Sequence, residues 1–136
     1  MDATFTIHSE PVGKARPRVT SRGTFTPKKT RDYERQVQIE YGTQCRNKCF
    51  DGKPLMVEIT ANFSIPKSKS RKDRVSMLAG EIRPTKKPDC DNIAKAILDA
   101  LNGIAYNDDS QVVSCSVKKF YAAEPSVIVR IREVYT

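Results

Sequence analysis

The chain has 136 residues, 38% of them hydrophobic, and carries 24 Lys and Arg against 16 Asp and Glu, a formal net charge of +8. That length is enough for one domain with its own core, so disulfide or zinc staples are not needed, and the apolar content excludes a disordered chain. The basic excess points to an anionic partner, of which nucleic acid is the commonest.

Residues 2–9 alternate enough, with Phe5 and Ile7 on one side, to predict a first strand. Residues 11–29 are rich in Pro, Gly, Lys and Arg and read as an extended loop with a hairpin around Arg22 and Gly23. A helix is expected over residues 30–48, with Thr30 as its N-cap and Tyr33, Val37 and Tyr41 recurring at helical spacing. Lys53 and Pro54 then open a strand over residues 55–65, where Leu55, Val57, Ile59, Ala61 and Phe63 alternate with mostly polar neighbours. Pro66 ends it, and a basic segment leads into a short helix over residues 72–78 closed by Gly80. Residues 81–87 are expected to be extended, since Pro84 and Pro88 forbid a helix there. A second long helix spans residues 92–101 and stops at Asn102 and Gly103. Strands over residues 111–120 and 126–134, joined by a turn near Glu124 and Pro125, finish the chain. The order β-α-β-α-β-β predicts a single α+β domain over residues 1–136: a mixed sheet with two helices packed on one face.

The cysteines, Cys45, Cys49, Cys90 and Cys115, include no Cys-x-x-Cys pair, and the single histidine, His8, is distant, which argues against a zinc finger. The first residues lack the regions of a signal peptide, and no apolar run approaches the roughly 20 residues that span a bilayer. The expected setting is therefore a reducing cytoplasm with free thiols, and no membrane partner.

Two acidic motifs flank the second long helix: Pro88-Asp89-Cys90-Asp91-Asn92 and Asn107-Asp108-Asp109-Ser110. Winding the helix from Asp91 puts Asp91, Asn92, Lys95, Asp99 and Asn102 within about a third of a turn. Ile93, Ala96, Ile97, Ala100 and Leu101 fall opposite, so an apolar stripe packs on the sheet and a polar stripe faces out beside both motifs. Hard cations such as Mg²⁺ take oxygen ligands, usually one or two carboxylates with water and substrate phosphate. Asp89 and Asp91, if extended, point the same way, and a return of the chain brings the Asp108–Asp109 pair alongside them. Three carboxylates so close repel unless a cation sits among them. A metal there can activate water and stabilise a leaving oxygen, and Lys95, one turn beyond Asp91, can neutralise charge on a scissile phosphate. Each motif also has a plainer reading: Asp91 as a helix N-cap, Asn107–Ser110 as a turn, and Asp99 as the partner of Lys95.

The run from Lys86 to Gly103, KKPDCDNIAKAILDALNG, with Asn107-Asp108-Asp109-Ser110-Gln111-Val112 downstream, resembles the RusA family of Holliday junction resolvases. The resemblance covers nearly the whole chain. Residues 13–18 (GKARPR) and 26–33 (TPKKTRDY) look like its phage and prophage branch, and the segment 67–80 is longer than in the shortest family members. The resemblance implies a homodimeric endonuclease, dependent on Mg²⁺ with Mn²⁺ as substitute, that nicks opposing strands of a four-way DNA junction in recombination and repair. It implies metal ligands at Asp89, Asp91 and Asp109, an essential lysine at Lys95, and a recurrent acidic position at Asp99; Asp108 stays a further candidate beside Asp109.

The expected DNA-binding residues cluster in the chain. Lys14, Arg16 and Arg18 lie in the first loop, and Lys28 and Lys29 near the first helix. Lys67, Lys69 and Arg71 follow the central strand, and Arg83, Lys86 and Lys87 lead into Asp89. Phosphate contacts of this kind weaken steeply with salt. The alternatives to a junction resolvase are a less selective flap or branched-DNA nuclease, and a non-catalytic DNA-binding module.

Overall fold

The computed structural model describes residues 2–16 and 18–134, without the side chain of Arg18. In chain order the elements are β1 (Asp2–Ile7), β2 (Arg18–Thr20), β3 (Gly23–Phe25), α1 (Lys28–Cys45), β4 (Leu55–Ser64), α2 (Arg71–Leu78) and α3 (Cys90–Leu101). A single 3-10 turn, Asp109–Gln111, then leads into β5 (Val112–Ala122), and β6 (Ser126–Glu133) ends the fold. The expected α+β fold with a mixed sheet is present, and both the hairpin (β2–β3) and the short helix (α2) form.

The clearest alternation in the sequence becomes the middle of the sheet. Along β4 every second residue, from Leu55 to Phe63, is buried. The sheet order is β1-β6-β4-β5, with β4 antiparallel to β6 and parallel to β5. Consecutive strands β5 and β6 therefore do not pair. The turn between them carries the chain over the end of β4, where Ser64 faces Ala122 and Asn62 faces Ser126.

α1 and α3 pack together over one face and share one core with the odd residues of β4 and with Phe5, Ile7, Val127, Val129 and Ile131. Burial of side chains this size contributes about 1.5–3 kcal/mol each. Phe5 meets Tyr41 edge to face, ring centroids 5.3 Å apart. Gln38 Nε2 donates to Ala100 O at 3.0 Å and ties α1 to the end of α3. α2 is a third helix, lying against β5, and its buried Met77 is outside the main core.

Several helix ends differ from expectation, each for a local reason. α1 starts at Lys28, after Pro27, and Thr30 is buried in line with Tyr33, Val37 and Tyr41 instead of capping the helix. It ends at Cys45, before Lys48, because Arg46 and Asn47 both take φ of 54°. α3 starts at Cys90, so Asp89 holds the N-cap position and Asp91 sits in the first turn. Residues 81–89 form irregular bends, with no strand.

Candidate active site

The N-terminal loop, which carries the expected DNA-binding residues Lys14, Arg16 and Arg18, is laid against the start of α3. Lys14 N–H donates to Asn92 O at 3.0 Å. Gly13 makes the approach possible: a Cβ there would lie 2.7 Å from Pro88 Cβ and 3.2 Å from Asn92 Cβ. We expect Gly13→Ala to push the loop off α3, costing about 1–3 kcal/mol as overpacking does. A urea unfolding curve checks it, and an unchanged midpoint would remove this role for Gly13.

Lys14 locks the loop from its other side. Its ammonium lies 2.5 Å from Glu34 Oε1 on α1 and 3.3 Å from Asp99 Oδ2 on α3. Burial works against that charge, but the bonds to Glu34 and Asp99 and their charges outweigh it, and the Lys14 pKa is raised above 10.5. A raised amine pKa stabilises the fold below the unfolded value, and the gain is lost as pH rises through the folded value. The stability difference between wild type and Lys14→Gln should therefore hold steady from neutral pH and shrink only above 10.5. Unfolding midpoints across that range test it. Asp99 thus pairs with Lys14, and the plainer reading of Asp99 as the partner of Lys95 finds no such ion pair among the described residues.

Between this loop, the start of α1 and the start of α3 lies a cavity of about 440 Å³, lined by Lys14, Lys29, Lys87, Pro88, Asp89 and Asn92 among others. A second of about 390 Å³ continues beside α3 and is lined by Lys14, Ala15, Arg16, Asn92, Lys95 and Asp99. Together they make a basic trough with carboxylates on one wall. Lys28 and Lys29 are exposed in the first turn of α1, which holds no acidic residue. Positive charge there opposes the helix dipole, so it favours an anion from outside the chain.

Asp89 and Asp91 are both exposed at the start of α3. Asp89 makes no side-chain capping bond, although N-cap aspartates commonly do. Among the described residues the structure records no hydrogen bond or ion pair for either carboxylate. Asp108 and Asp109 differ in a way sequence did not show. The Asp108 carboxylate caps the 3-10 turn, accepting from Ser110 N–H at 3.1 Å, and its pKa is lowered by its bonds to Ser110. Asp109 is half-buried, and among the described residues no side-chain hydrogen bond is recorded for it. Gln111, not singled out in the sequence, is the anchor here: its Nε2 donates to Phe50 O at 2.7 Å and Lys53 O at 3.0 Å, and its Oε1 accepts from Asn107 N–H at 2.8 Å.

The expected gathering of Asp109 with Asp89 and Asp91 does not occur within one chain. Among the described residues no three His, Cys, Asp or Glu side chains are grouped to hold a metal ion. α3 runs back along the sheet, so its end, and not its start, feeds β5. Cys90 Sγ lies 3.9 Å from Val117 O in the middle of β5, whereas Asp109 immediately precedes that strand. The Tyr106 hydroxyl donates to Leu98 O at 2.6 Å, and its pKa is raised by burial first and then by nearby negative charge, Asp109 and Asp99 ahead of Asp108.

The predicted DNA-binding residues divide as well. Arg16, Lys67, Lys69, Arg71, Lys86 and Lys87 are exposed. Beside them Arg74, which was not among the expected DNA-binding residues, braces the turn before α2, donating to Pro66 O and Lys67 O at 3.2 Å. Arg83 docks its segment onto β5, donating to Lys119 O at 2.5 Å and covering the Phe120 ring at 3.8 Å. The Arg18 side chain is outside the described residues. No helix of the described residues is long and apolar enough to cross a membrane.

A family model described as endodeoxyribonuclease RusA matches residues 8–132. The chain is also 39% identical over 136 residues to "Uncharacterized protein YqaN" of Bacillus subtilis (strain 168), covering 96% of this chain and 95% of that one.

Proposed function

The chain belongs to the RusA family of endodeoxyribonucleases, and from that premise we propose that it resolves four-way DNA junctions by Mg²⁺-dependent hydrolysis in recombination and repair, with Mn²⁺ as a substitute. The observation that carries this reading is a pair of exposed carboxylates, Asp89 and Asp91, with no recorded partner among the described residues, at the start of α3 and bordered by a basic trough.

The donor set fits a hard cation, which favours carboxylate oxygens and leaves room for water and phosphate. Asp89 and Asp91 would hold it. Bound there, the ion would supply Lewis acidity and an activated water. The rest falls to the chain's own side chains. Lys95, exposed one turn beyond Asp91, is placed to offset negative charge on the scissile phosphate. Lys29 and Lys87 line the same cavity as Asp89 and offset repulsion between the acidic pair and the DNA backbone. Lys14, tied to Glu34 and Asp99, positions the loop from which the trough is built.

Asp109 enters the proposed site from a second copy. A two-fold dimer has two equivalent sites and a four-way junction has approximate two-fold symmetry, so paired nicks in opposing strands follow from the assembly. The test is a panel of four-way junction, flap and linear duplex DNA with Mg²⁺. Selective, paired cutting of the junction supports the proposal. Equal cutting of flaps would support a general branched-DNA nuclease, and no cutting of any would leave a DNA-binding module.

A further inference from the structure

The β2–β3 hairpin stands apart from the core. Its strands form a two-stranded sheet of their own, and residues 19–25 are exposed throughout. A lone two-stranded hairpin is marginal in water, and this one is held at its turn and at its roots. The Thr20 hydroxyl donates to Gly23 O and accepts from Arg22 N–H, both at 3.2 Å. At the roots, Lys14 and Ala15 on one side and Lys29 and Thr30 on the other line the same cavity as Asp89. The apolar side chains of the hairpin stay in water: Val19 is 81% exposed and Phe25 50%. They lie on opposite faces. Val19 shares one face with its cross-strand partner Thr24, and Phe25, opposite Arg18 in the register, belongs to the other.

A hairpin that rests on a protein surface buries one face and keeps the other polar. Here each face holds one exposed apolar side chain, which suits a gap with apolar walls on both sides. The charges say what frames that gap. Between Glu10 and Asp32 every charged residue is Lys or Arg, so the frame is anionic. Apolar walls in an anionic frame are the faces of unstacked bases between their phosphates. In a plain duplex those faces are closed by stacking, whereas at a branch point the arms diverge and the flanking pairs open at less cost. We propose that the β2–β3 hairpin is a wedge for the branch point of the DNA. Val19 and Phe25 meet base faces on its two sides, and Arg22 in the turn and Lys28 at the root hold the flanking phosphates. Strands of three residues reach roughly 10 Å, enough to carry the turn past the backbone to the bases of a groove about 8.5 Å deep. The inference rests on the DNA-cleaving reading above, and it adds the element that tells a branch from a plain duplex.

Binding is measured in chelator, so that no strand is cut, on four-way junctions and linear duplexes. Each DNA holds a fluorescent purine analogue whose emission rises when it unstacks. Wild type should raise the emission of an analogue beside the crossover and leave one in mid-arm unchanged. Val19→Ser combined with Phe25→Ser should abolish the rise. It should also weaken junction binding by about 10-fold or more, the scale of one lost base stack, with duplex binding unchanged. Both side chains are exposed, so the urea midpoint should stay at the wild-type value. Phe25→Tyr keeps the ring and should keep the signal. Arg22→Gln should weaken junction and duplex binding alike, as loss of a phosphate contact does. A wild type that gives no rise at the crossover, or a double variant that keeps the rise or loses junction and duplex affinity equally, would overturn the proposal. A junction-cutting protein that gives no rise would refute the wedge alone. A protein that gives the rise and loses it in the double variant, yet cuts no DNA with Mg²⁺, would refute the nuclease reading alone.

Discussion

Asp91→Asn should lower junction cleavage by about 10²-fold or more, the scale seen when one charge-stabilising group is removed from an active site, while junction binding stays equal or becomes tighter. The two halves of that result come from one change. Asparagine keeps the shape of the side chain but removes a charge that a hard cation needs and that DNA phosphate resists. The cost to folding is small. Asp91 is exposed in the first turn of α3 and makes no recorded bond among the described residues, so its contribution is the dipole effect of an acid near a helix start, about 0.3–1 kcal/mol. That is too little to unfold a domain with an intact core. Cleavage of labelled junctions, gel-shift binding and a urea curve on the same preparation separate the outcomes. Loss of cleavage, binding and folding together would place Asp91 in the scaffold.

The second large effect is a rescue. Asp91→Asn and Asp109→Asn should each be inactive as homodimers. Co-expressed, they should recover nicking, because a mixed dimer holds one site with both substitutions and one with neither. Random pairing gives half mixed dimers with one good site in two, about a quarter of the wild-type nicking rate in a two-fold assembly. If Asp109 served the site of its own chain, every site in the mixed dimer would carry one substitution and nothing would be recovered. Nicking of one strand is the readout, since a single good site cannot make the paired cut.

Local pattern revealed much of this molecule. The period of two in β4 and the two stripes of α3 describe a neighbourhood only a few residues long, and both appear as read. The motif around Asp89 and Asp91 was equally plain as a pattern, because its residues are close in sequence. What could not be read depends on distant residues. Thr30 looked like a cap because serine and threonine often are, but the core claims it alongside Tyr33 and Val37. The pairing of Lys14 with Glu34 and Asp99 could not be read before α1 and α3 brought those carboxylates to it. The smallness of Gly13 has meaning only once Pro88 lies across from it. Asp108 and Asp109 could not be told apart until the 3-10 turn took one carboxylate for its cap. The separation of Asp109 from Asp89 follows from how α3 lies on the sheet, which no run of residues encodes: Cys90 rests against Val117 in the middle of β5, whereas Asp109 precedes that strand.

The most direct test of the central claim is to map nicks on a four-way junction labelled in turn on each strand, with Mg²⁺ and then with a chelator. Symmetric nicks in two opposing strands, present with Mg²⁺, absent with chelator and absent in Asp91→Asn, are the predicted result. Cleavage that persists in chelator, or in Asp91→Asn at the wild-type rate, would contradict it.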